Sequence, residues 1–313
     1  MKAIELHRYG PPEVLCYDTV TLPKLRADEV LVKIAATSVN PKDCLIRRGK
    51  FRLLSGYRFP LRLGNDLAGN VVDRGRSVRD LSLGQPVFGM TNRMVGRAYA
   101  DYVAIRASEV APAPATISLV EAGALPLVSQ TALQALRDLG AITQGSQVCI
   151  NGASGGVGTV AIQIAKAYGA QVTAMCSSRN EALCRQLGAD QVVPYDERDV
   201  LAGATSFDIY FDVFGNHSID STRPVLSPDG VFVSTVPSPA SAWAALRTRW
   251  SKQRARVVVV RSRRHDLATI AGLVEKGQLT PVIDQTLPLS EAAQAHAYVQ
   301  TKRARGKVLL IPS

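Results

Sequence analysis

The run Asn151-Gly152-Ala153-Ser154-Gly155-Gly156-Val157-Gly158 constrains what this chain can fold into more than any other stretch. An apolar segment, Gln147-Val148-Cys149-Ile150, leads into it, and a helix-like segment over 159–168 comes directly after. Strand, glycine-rich turn and helix is the order that a dinucleotide pyrophosphate requires. Glycines let the backbone turn tightly and approach the diphosphate with no Cβ in the way. The helix start then offers unpaired N–H groups and the positive end of the helix dipole. Read as Ala153-x-Gly155-x-x-Gly158, the run departs from the common fingerprint only at its first glycine. The alternative is a glycine turn with a purely structural role.

The residues beyond this helix favour the dinucleotide. Gln171-Val172-Thr173-Ala174-Met175-Cys176 reads as a second strand, which completes a βαβ unit. Folds that bind NAD usually carry an Asp or Glu at the end of this strand, on the ribose hydroxyls. Here the chain continues Ser177-Ser178-Arg179-Asn180. An acid would repel a 2′-phosphate, whereas two hydroxyls and a guanidinium would bind it. The expected cofactor is therefore NADPH. The plainer reading is that Ser177 or Ser178 caps a helix starting near Arg179, and that Arg179 is a solvated charge.

The chain has 313 residues, room for two domains or one large one. Hydrophobic residues make up 46% and charged residues 20%, which excludes a disordered or low-complexity chain. No apolar run approaches the roughly 20 residues of a membrane span. The start, Met1-Lys2-Ala3-Ile4-Glu5-Leu6-His7, lacks a signal-peptide core, so a cytoplasmic protein is expected. The five cysteines, Cys16, Cys44, Cys149, Cys176 and Cys184, are scattered and odd in number. They suit a reducing compartment and argue against a disulfide framework.

The formal net charge is +11, and much of it is local. Residues 243–265 hold eight Lys or Arg and no acid: Arg247, Arg249, Lys252, Arg254, Arg256, Arg261, Arg263 and Arg264. Trp243, Leu246 and Trp250 stand at i, i+3 and i+7, one face of a helix. The favoured expectation is a helix that packs its Trp face on the protein and solvates its arginines. Contact with a membrane surface or nucleic acid through 243–264, or a lid over a hydrophobic pocket, are the alternatives.

Along the chain, the first ~115 residues read as short strands bounded by Gly, Pro and Asp turns. Ala111-Pro112-Ala113-Pro114 marks a boundary. Strands are then expected over 148–152, 171–176, 191–195, 207–214, 230–236 and 256–260, alternating with helices or loops. Six such strands predict an α/β, doubly wound parallel sheet. Amphipathic helices are expected over 266–278 and over 290–302, the latter capped by Ser290. A strand over 306–311 closes the chain and is expected to return to the first domain.

Six motifs stand in order along the chain: Thr37-Ser38-Val39-Asn40-Pro41-Lys42-Asp43, Gly64-Asn65-Asp66-Leu67-Ala68-Gly69-Asn70-Val71, Gln130-Thr131-Ala132-Leu133-Gln134-Ala135-Leu136, Ala153 to Gly158, Leu187-Gly188-Ala189-Asp190 and Arg305-Gly306-Lys307-Val308. In this order and spacing they resemble the medium-chain dehydrogenase/reductase superfamily, and within it the zinc-free quinone oxidoreductases of the chloroplast-envelope type. The resemblance implies a GroES-like β-barrel domain, residues 1–116 with 262–313, and a Rossmann domain, residues 117–261. It implies an active site in the cleft between the two. A homodimer is expected.

The resemblance also frames the metal question. Zinc-dependent relatives place a Cys where Asn40 stands and a His-Glu pair where Asn65-Asp66 stands. A catalytic zinc takes about three ligands from Cys, His or acids, and an Asn amide is a poor one. His7, His217, His265 and His296 are far apart and show no ligand spacing. The expectation is no metal.

Without a Lewis acid, oxidation of a secondary alcohol is difficult. Hydride addition to a conjugated acceptor is easier, so a quinone, enone or enal is the expected small-molecule partner. Gly155, Gly156, Val157 and Gly158, with Ser154, should cradle the pyrophosphate. Ser177, Ser178 and Arg179 should meet the 2′-phosphate. The resemblance puts Tyr195 near the adenosine, Thr131 beside the nicotinamide, and Asn40 and Asp43 in the substrate cleft. Asp43 could equally hold a loop through Arg47. Phe214 and Gly215 are expected in a ligand-facing loop. Lys307 is expected to approach the cofactor or to pair with a surface acid. Many quinone reductases carry a Tyr at the position of Leu45, so no mechanism here uses that hydroxyl. With no convincing side-chain acid, the proton is expected from water or a ribose hydroxyl. Two further readings stay open: an enoyl-thioester reductase, and a nucleotide-sensing or RNA-binding protein using its basic segment.

Overall fold

The computed structural model describes residues 1–56, 58–199, 201 and 206–312. Among these, fifteen strands form three sheets. In chain order they are β1 (Lys2–Leu6), β2 (Leu15–Thr19), β3 (Glu29–Val39), β4 (Asp66–Arg74), β5 (Pro86–Met90), β6 (Tyr102–Arg106), β7 (Val110–Pro112), β8 (Gln147–Asn151), β9 (Gln171–Cys176), β10 (Gln191–Pro194), β11 (Phe207–Asp212), β12 (Leu226–Ser234), β13 (Arg254–Val257), β14 (Ile283–Pro288) and β15 (Lys307–Ile311). Two compact units contain them: Met1–Leu127 with Ser262–Lys276 and Pro281–Ser313, and Val128–Arg261 with Gly277–Thr280.

The first unit is built on β3. Its apolar residues Val30, Val32 and Ile34 pack with Leu67, Val71, Val87, Val103 and Ile105 in one core. The strand pairs with β4 and β6, and its far end pairs with β15. Register shifts at Leu31/Val32 and Ile34/Ala36 supply the bulges that bend it between these partners. The backbones come so close there that a Cβ on Gly69 would stand 2.0 Å from the Lys33 carbonyl oxygen. The order β14-β15-β3-β4-β5-β7, with β6 on β3, brings the last strand of the chain into this unit. Ser118 and Glu121 form a capping box on the turn Leu119–Ala122. Gly123 beyond it lies where a Cβ would meet the Ala36 side chain at 2.9 Å, so this segment packs on β3.

The second unit holds a parallel sheet in the order β10-β9-β8-β11-β12-β13, with helices between the strands. Strands buried on both faces read as continuous apolar runs, which is why Val148-Cys149-Ile150 and Val172 to Cys176 show no alternation. Strand order reverses between β8 and β11, and a ligand site is expected at the carboxyl ends of that pair. This is the doubly wound sheet that the sequence predicts.

Two expectations are corrected. The last helix runs Ala292–Gln300 with Glu291 at its N-cap, preceded by a 3-10 turn Leu289–Glu291. Ser290 therefore sits inside that turn, because the buried Leu289 anchors the entry one residue earlier. The basic segment is also different. Its helix, Pro239–Arg247, ends before Trp250. Trp243, Leu246 and Trp250 are 64%, 55% and 84% exposed, so the Trp face does not pack on the protein. Ala244 makes the apolar contact instead. Arg247 pairs with Asp220 at 2.7 Å, and Arg249 lies over the Trp250 ring at 5.3 Å. Among the described residues, no helix is long and apolar enough to cross a membrane.

The tight β3–β4 crossing makes a direct prediction. Gly69→Ala should destabilise the protein by about 1–3 kcal/mol, the usual cost of overpacking. Urea denaturation compares it with Gly84→Ala, where a Cβ meets nothing within 4 Å but the positive φ of 78° adds a smaller backbone strain.

Candidate active site

In the second unit, β8 runs into Gly152, whose φ of 86° suits glycine. The helix Gly156–Ala167 starts from Gly155, an N-cap residue with no side chain to cap it. Its first N–H groups are therefore available to an anion. The two outer glycines do different things. A Cβ on Gly158 would stand 2.2 Å from the Gly152 carbonyl oxygen, so this glycine lets helix and loop touch. A Cβ on Gly155 would meet only that same oxygen, at 3.5 Å, so its open side is left for a ligand.

The loop after β9 adjoins this turn. Asn180 donates through Nδ2 to Ser154 Oγ at 2.9 Å and to Ser177 Oγ at 3.2 Å. Its Oδ1 is buried and has no hydrogen-bond partner among the described residues. Ser178 is held by the turn that comes after β10. Its N–H donates to Asp196 Oδ1 at 2.9 Å, and its hydroxyl donates to Asp196 Oδ2 at 2.9 Å. These bonds, with Arg179 nearby, hold the Asp196 carboxyl below the usual carboxylate range. The second strand indeed ends without an acid, but the end of β10 brings one to the same loop. Arg179 is exposed. Tyr195, 60% exposed, comes after β10 and donates its backbone N–H to the Cys176 carbonyl at 3.0 Å.

The carboxyl ends of β8 and β11 are tied together. Asn151 Nδ2 donates to Asp212 Oδ1 at 2.8 Å and to Asn216 Oδ1 at 2.6 Å. The fully buried Asp212 also accepts from the N–H groups of Gly215 and His217, at 2.9 and 3.1 Å. This fixes the loop that carries Phe214, 50% exposed, and Gly215, beside Gly152. Thr131 is buried on the helix Pro126–Leu133.

In the first unit, the expected residues meet in a buried polar cluster. Asp66 opens β4 and is fully buried. Its Oδ1 accepts from the Leu127 N–H at 2.7 Å, and its Oδ2 accepts from Asn40 Nδ2 at 2.9 Å and from the Ser38 hydroxyl. Lys307, the first residue of β15, donates to Asn40 Oδ1 at 2.6 Å and stands 3.7 Å from Asp66 Oδ2. Burial pushes the Lys307 ammonium below its ordinary range, against the pull of Asp66. Lys307 thus pairs with a buried acid rather than a surface one. Asp43 sits one helical turn from Asn40 and accepts its backbone N–H at 3.0 Å, with the Tyr99 hydroxyl at 3.1 Å. Burial raises its carboxyl above the usual range. Asp43 does not hold Arg47, whose guanidinium donates to the Gly10 carbonyl and to Gln300. The network continues from Tyr99 to His296 Nε2, 3.2 Å away.

The structure thus gathers the 154–158, 177–180 and 195 positions in one unit and Asn40, Asp43 and Lys307 in the other. Sequence reasoning missed Asn180 Oδ1, Asp196, Asp212 and Asp66 as organisers. Asp66, Asp196 and Asp212 each bond to a segment distant in sequence, which carries no local signal.

A curled, largely antiparallel sheet and a doubly wound dinucleotide-type sheet are the components of a medium-chain oxidoreductase. Comparison with known proteins agrees. The family described as alcohol dehydrogenase GroES-like domain matches residues 26–115, and the one described as zinc-binding dehydrogenase matches residues 187–310. A chloroplast envelope quinone oxidoreductase homolog of Arabidopsis thaliana is 30% identical, over 100% of this chain and 98% of its own. An NADPH-dependent alkenal/one oxidoreductase of the same plant is 32% identical over 100% of this chain and 80% of its own. The solved quinone oxidoreductase of Coxiella burnetii superposes with a TM-score of 0.90 at 32% identity, covering 99% of both chains. The chain belongs to the quinone oxidoreductase-like family of the medium-chain dehydrogenase/reductase superfamily, and it is an oxidoreductase.

The buried His296 gives a pH prediction. Burial, and Arg47 beside it, push its imidazole down to about 3. An unfolded histidine titrates near ~6.5. Between these values the unfolded chain binds a proton that the folded chain refuses, so stability falls as pH falls through this window. The slope is at most about 1.4 kcal/mol per pH unit for one proton. In urea denaturation at pH 7 and pH 5, His296→Gln should show a smaller acid loss than wild type. Carboxylates outside the Asp43–Tyr99–His296 network contribute equally to both proteins and drop out of the difference.

Proposed function

We propose that this chain transfers hydride from NADPH to quinones or α,β-unsaturated carbonyls, without a metal. The observation that carries the reading is the open side of Gly155 at an uncapped helix start, set where strand order reverses. The names of the Arabidopsis relatives, a quinone oxidoreductase homolog and an NADPH-dependent alkenal/one oxidoreductase, support the acceptor class and the cofactor. We take residues 117–261 as the dinucleotide-binding part and 1–116 with 262–313 as the GroES-like part.

A nicotinamide bound here would supply the hydride. The chain's part is to hold and orient. Ser154, Gly155, Gly156, Val157 and Gly158 would present backbone N–H groups to the pyrophosphate. The partnerless Oδ1 of Asn180 would accept from a ribose hydroxyl. Arg179 and Ser177 would meet the 2′-phosphate, and Tyr195 would flank the adenosine. Ser178 is set aside from that role, since Asp196 already takes its N–H and hydroxyl. Phe214 and Gly215 would line the far side of the strand reversal, and Thr131 would stand beside the nicotinamide. Asn40, Asp43 and Lys307 bond to one another or to buried neighbours, which suits positioning residues rather than reacting ones.

Metal independence is supported by the donor set. Of Asn40, Asn65 and Asp66, only Asp66 is a good zinc ligand. Its outer oxygen already accepts from Asn40 and Ser38, with the Lys307 ammonium 3.7 Å away. A fixed cation there opposes a second one. One family matched is described as zinc-binding dehydrogenase, but Asn40, Asn65 and Asp66 do not fit a catalytic zinc. Lacking that Lewis acid, the protein suits acceptors whose conjugation already spreads the incoming charge.

Turnover of NADPH against benzoquinone, naphthoquinone, a medium-chain enone, an enal and an enoyl-CoA tests this reading. Activity with the quinones or enones is expected, and activity confined to the thioester overturns it. Treatment with EDTA should leave kcat/KM unchanged.

Cofactor choice gives the sharper prediction. A charge-assisted hydrogen bond contributes about 1.5–3 kcal/mol, so Arg179→Ala should raise the NADPH KM roughly 10-fold or more with kcat near wild type. NADH should change much less. Asp196→Asn removes a negative charge from the same loop and should lower the NADPH KM relative to NADH. Steady-state kinetics with both cofactors check both, and a wild type that prefers NADH defeats the assignment.

A further inference from the structure

The β1–β2 hairpin carries side chains that the reductase reading does not use. His7 lies in the bend after β1, and Cys16 and Asp18 lie on β2. His7 Nε2 stands 2.8 Å from Asp18 Oδ2, and the nitrogen, sulfur and oxygen of the three residues all lie within 4.8 Å of one another. Cys16 and Asp18 are two apart on a strand and so share a face. The hairpin is anchored: β1 and β2 pair in register from Lys2 against Thr19 to Leu6 against Leu15, and β1 also bridges Ala100 and Leu61. Of the five free cysteines, Cys16 alone is exposed. Its thiol makes a long hydrogen bond, 3.8 Å to the Val14 carbonyl. Glu5, opposite Cys16, is drawn off by Arg62 at 2.7 Å.

We propose that His7, Cys16 and Asp18 form a zinc-binding site, distinct from the dinucleotide cradle. Imidazole nitrogen, thiolate sulfur and carboxylate oxygen are the donors that Zn²⁺ takes, at about 2.0–2.3 Å in a tetrahedron. Ligand atoms of such a tetrahedron stand about 3.3–3.8 Å apart, so rotamer adjustment within the present cluster suffices. The His7–Asp18 hydrogen bond is exchanged for two metal bonds, and water takes the open fourth position. Calcium and magnesium are excluded by chemistry, since they want about six or more oxygens and Asp18 is the only oxygen donor of the three. Binding releases the Cys16 thiol proton to solvent and uses neutral imidazole, so affinity rises with pH. No electron is transferred. The sequence hides this trio because the residues are separated by eight and one positions and meet only through the hairpin.

The test uses untagged, full-length protein stripped with chelator. Zinc chloride is titrated against a chromophoric competitor, and cobalt chloride is titrated while the thiolate-to-cobalt absorption is monitored. One equivalent of zinc and a cobalt–thiolate band are expected. Cys16→Ser should abolish the band, and His7→Ala and Asp18→Asn should each weaken zinc by about tenfold or more. Zinc should also raise the melting temperature of wild type but not of Cys16→Ser. Absence of zinc binding in the wild type overturns the proposal, as does equal binding by all three variants. Reductase activity is not the readout, so this inference and the proposed function fail separately.

Discussion

The Asp66 carboxylate, sealed from solvent at the start of β4, is the constraint around which the first unit closes. A buried carboxylate costs several kcal/mol unless its oxygens are satisfied, about the worth of a whole side chain's burial. Asp66 is satisfied by Ser38 and by Asn40, just past β3, by the Leu127 backbone, and at longer range by Lys307 of the last strand. These groups come from separate places in the chain, and only one register of β3, β4 and β15 brings them together. The same cluster sets a lysine ammonium and an asparagine amide beside that carboxylate.

The second unit repeats the device with another aspartate. Asp212 ends β11 and gathers Asn151, Gly215 and His217, which locks the two strand ends flanking the reversal of sheet order. Against this saturated frame, the unsaturated groups stand out. They are the first N–H groups of the helix after Gly155 and the buried Oδ1 of Asn180. Groups whose hydrogen bonds are spent hold the shape, and it is on those left over that the proposed cofactor contacts rest. Asp196 modifies that division, because it spends Ser178 on structure and sets a negative charge beside Arg179.

Much of the fold was legible. Continuous apolar runs such as Val148 to Ile150 mark strands covered on both faces, and the glycine run after them marks the turn into a helix. These are local signals, since period, turn chemistry and capping act within a few residues. The glycine turn itself was legible for the same reason, but the different packing of its glycines was not. Gly155 and Gly158 look alike in sequence, and only packing shows that Gly158 admits the loop and Gly155 faces open space. Trp243, Leu246 and Trp250 show the converse failure: a helical spacing suggested a packed face, but the helix stops at Arg247 and leaves all three exposed.

The sequence by itself determined the order of elements, the parallel sheet, the phosphate-type turn and the lack of a conventional zinc ligand set at Asn40, Asn65 and Asp66. Each is a statement about neighbours along the chain, where residue type and spacing act directly. The tertiary structure decided which distant side chains share a hydrogen bond. It gave Lys307 to Asn40 and Asp66, took Asp43 from Arg47 and gave it to Tyr99, brought Asp196 to Ser178, and set His7 beside Cys16 and Asp18. Such pairings depend on strand order and register. Those are settled by the whole core at once, because a buried polar group leaves no alternative to the partner that the fold delivers.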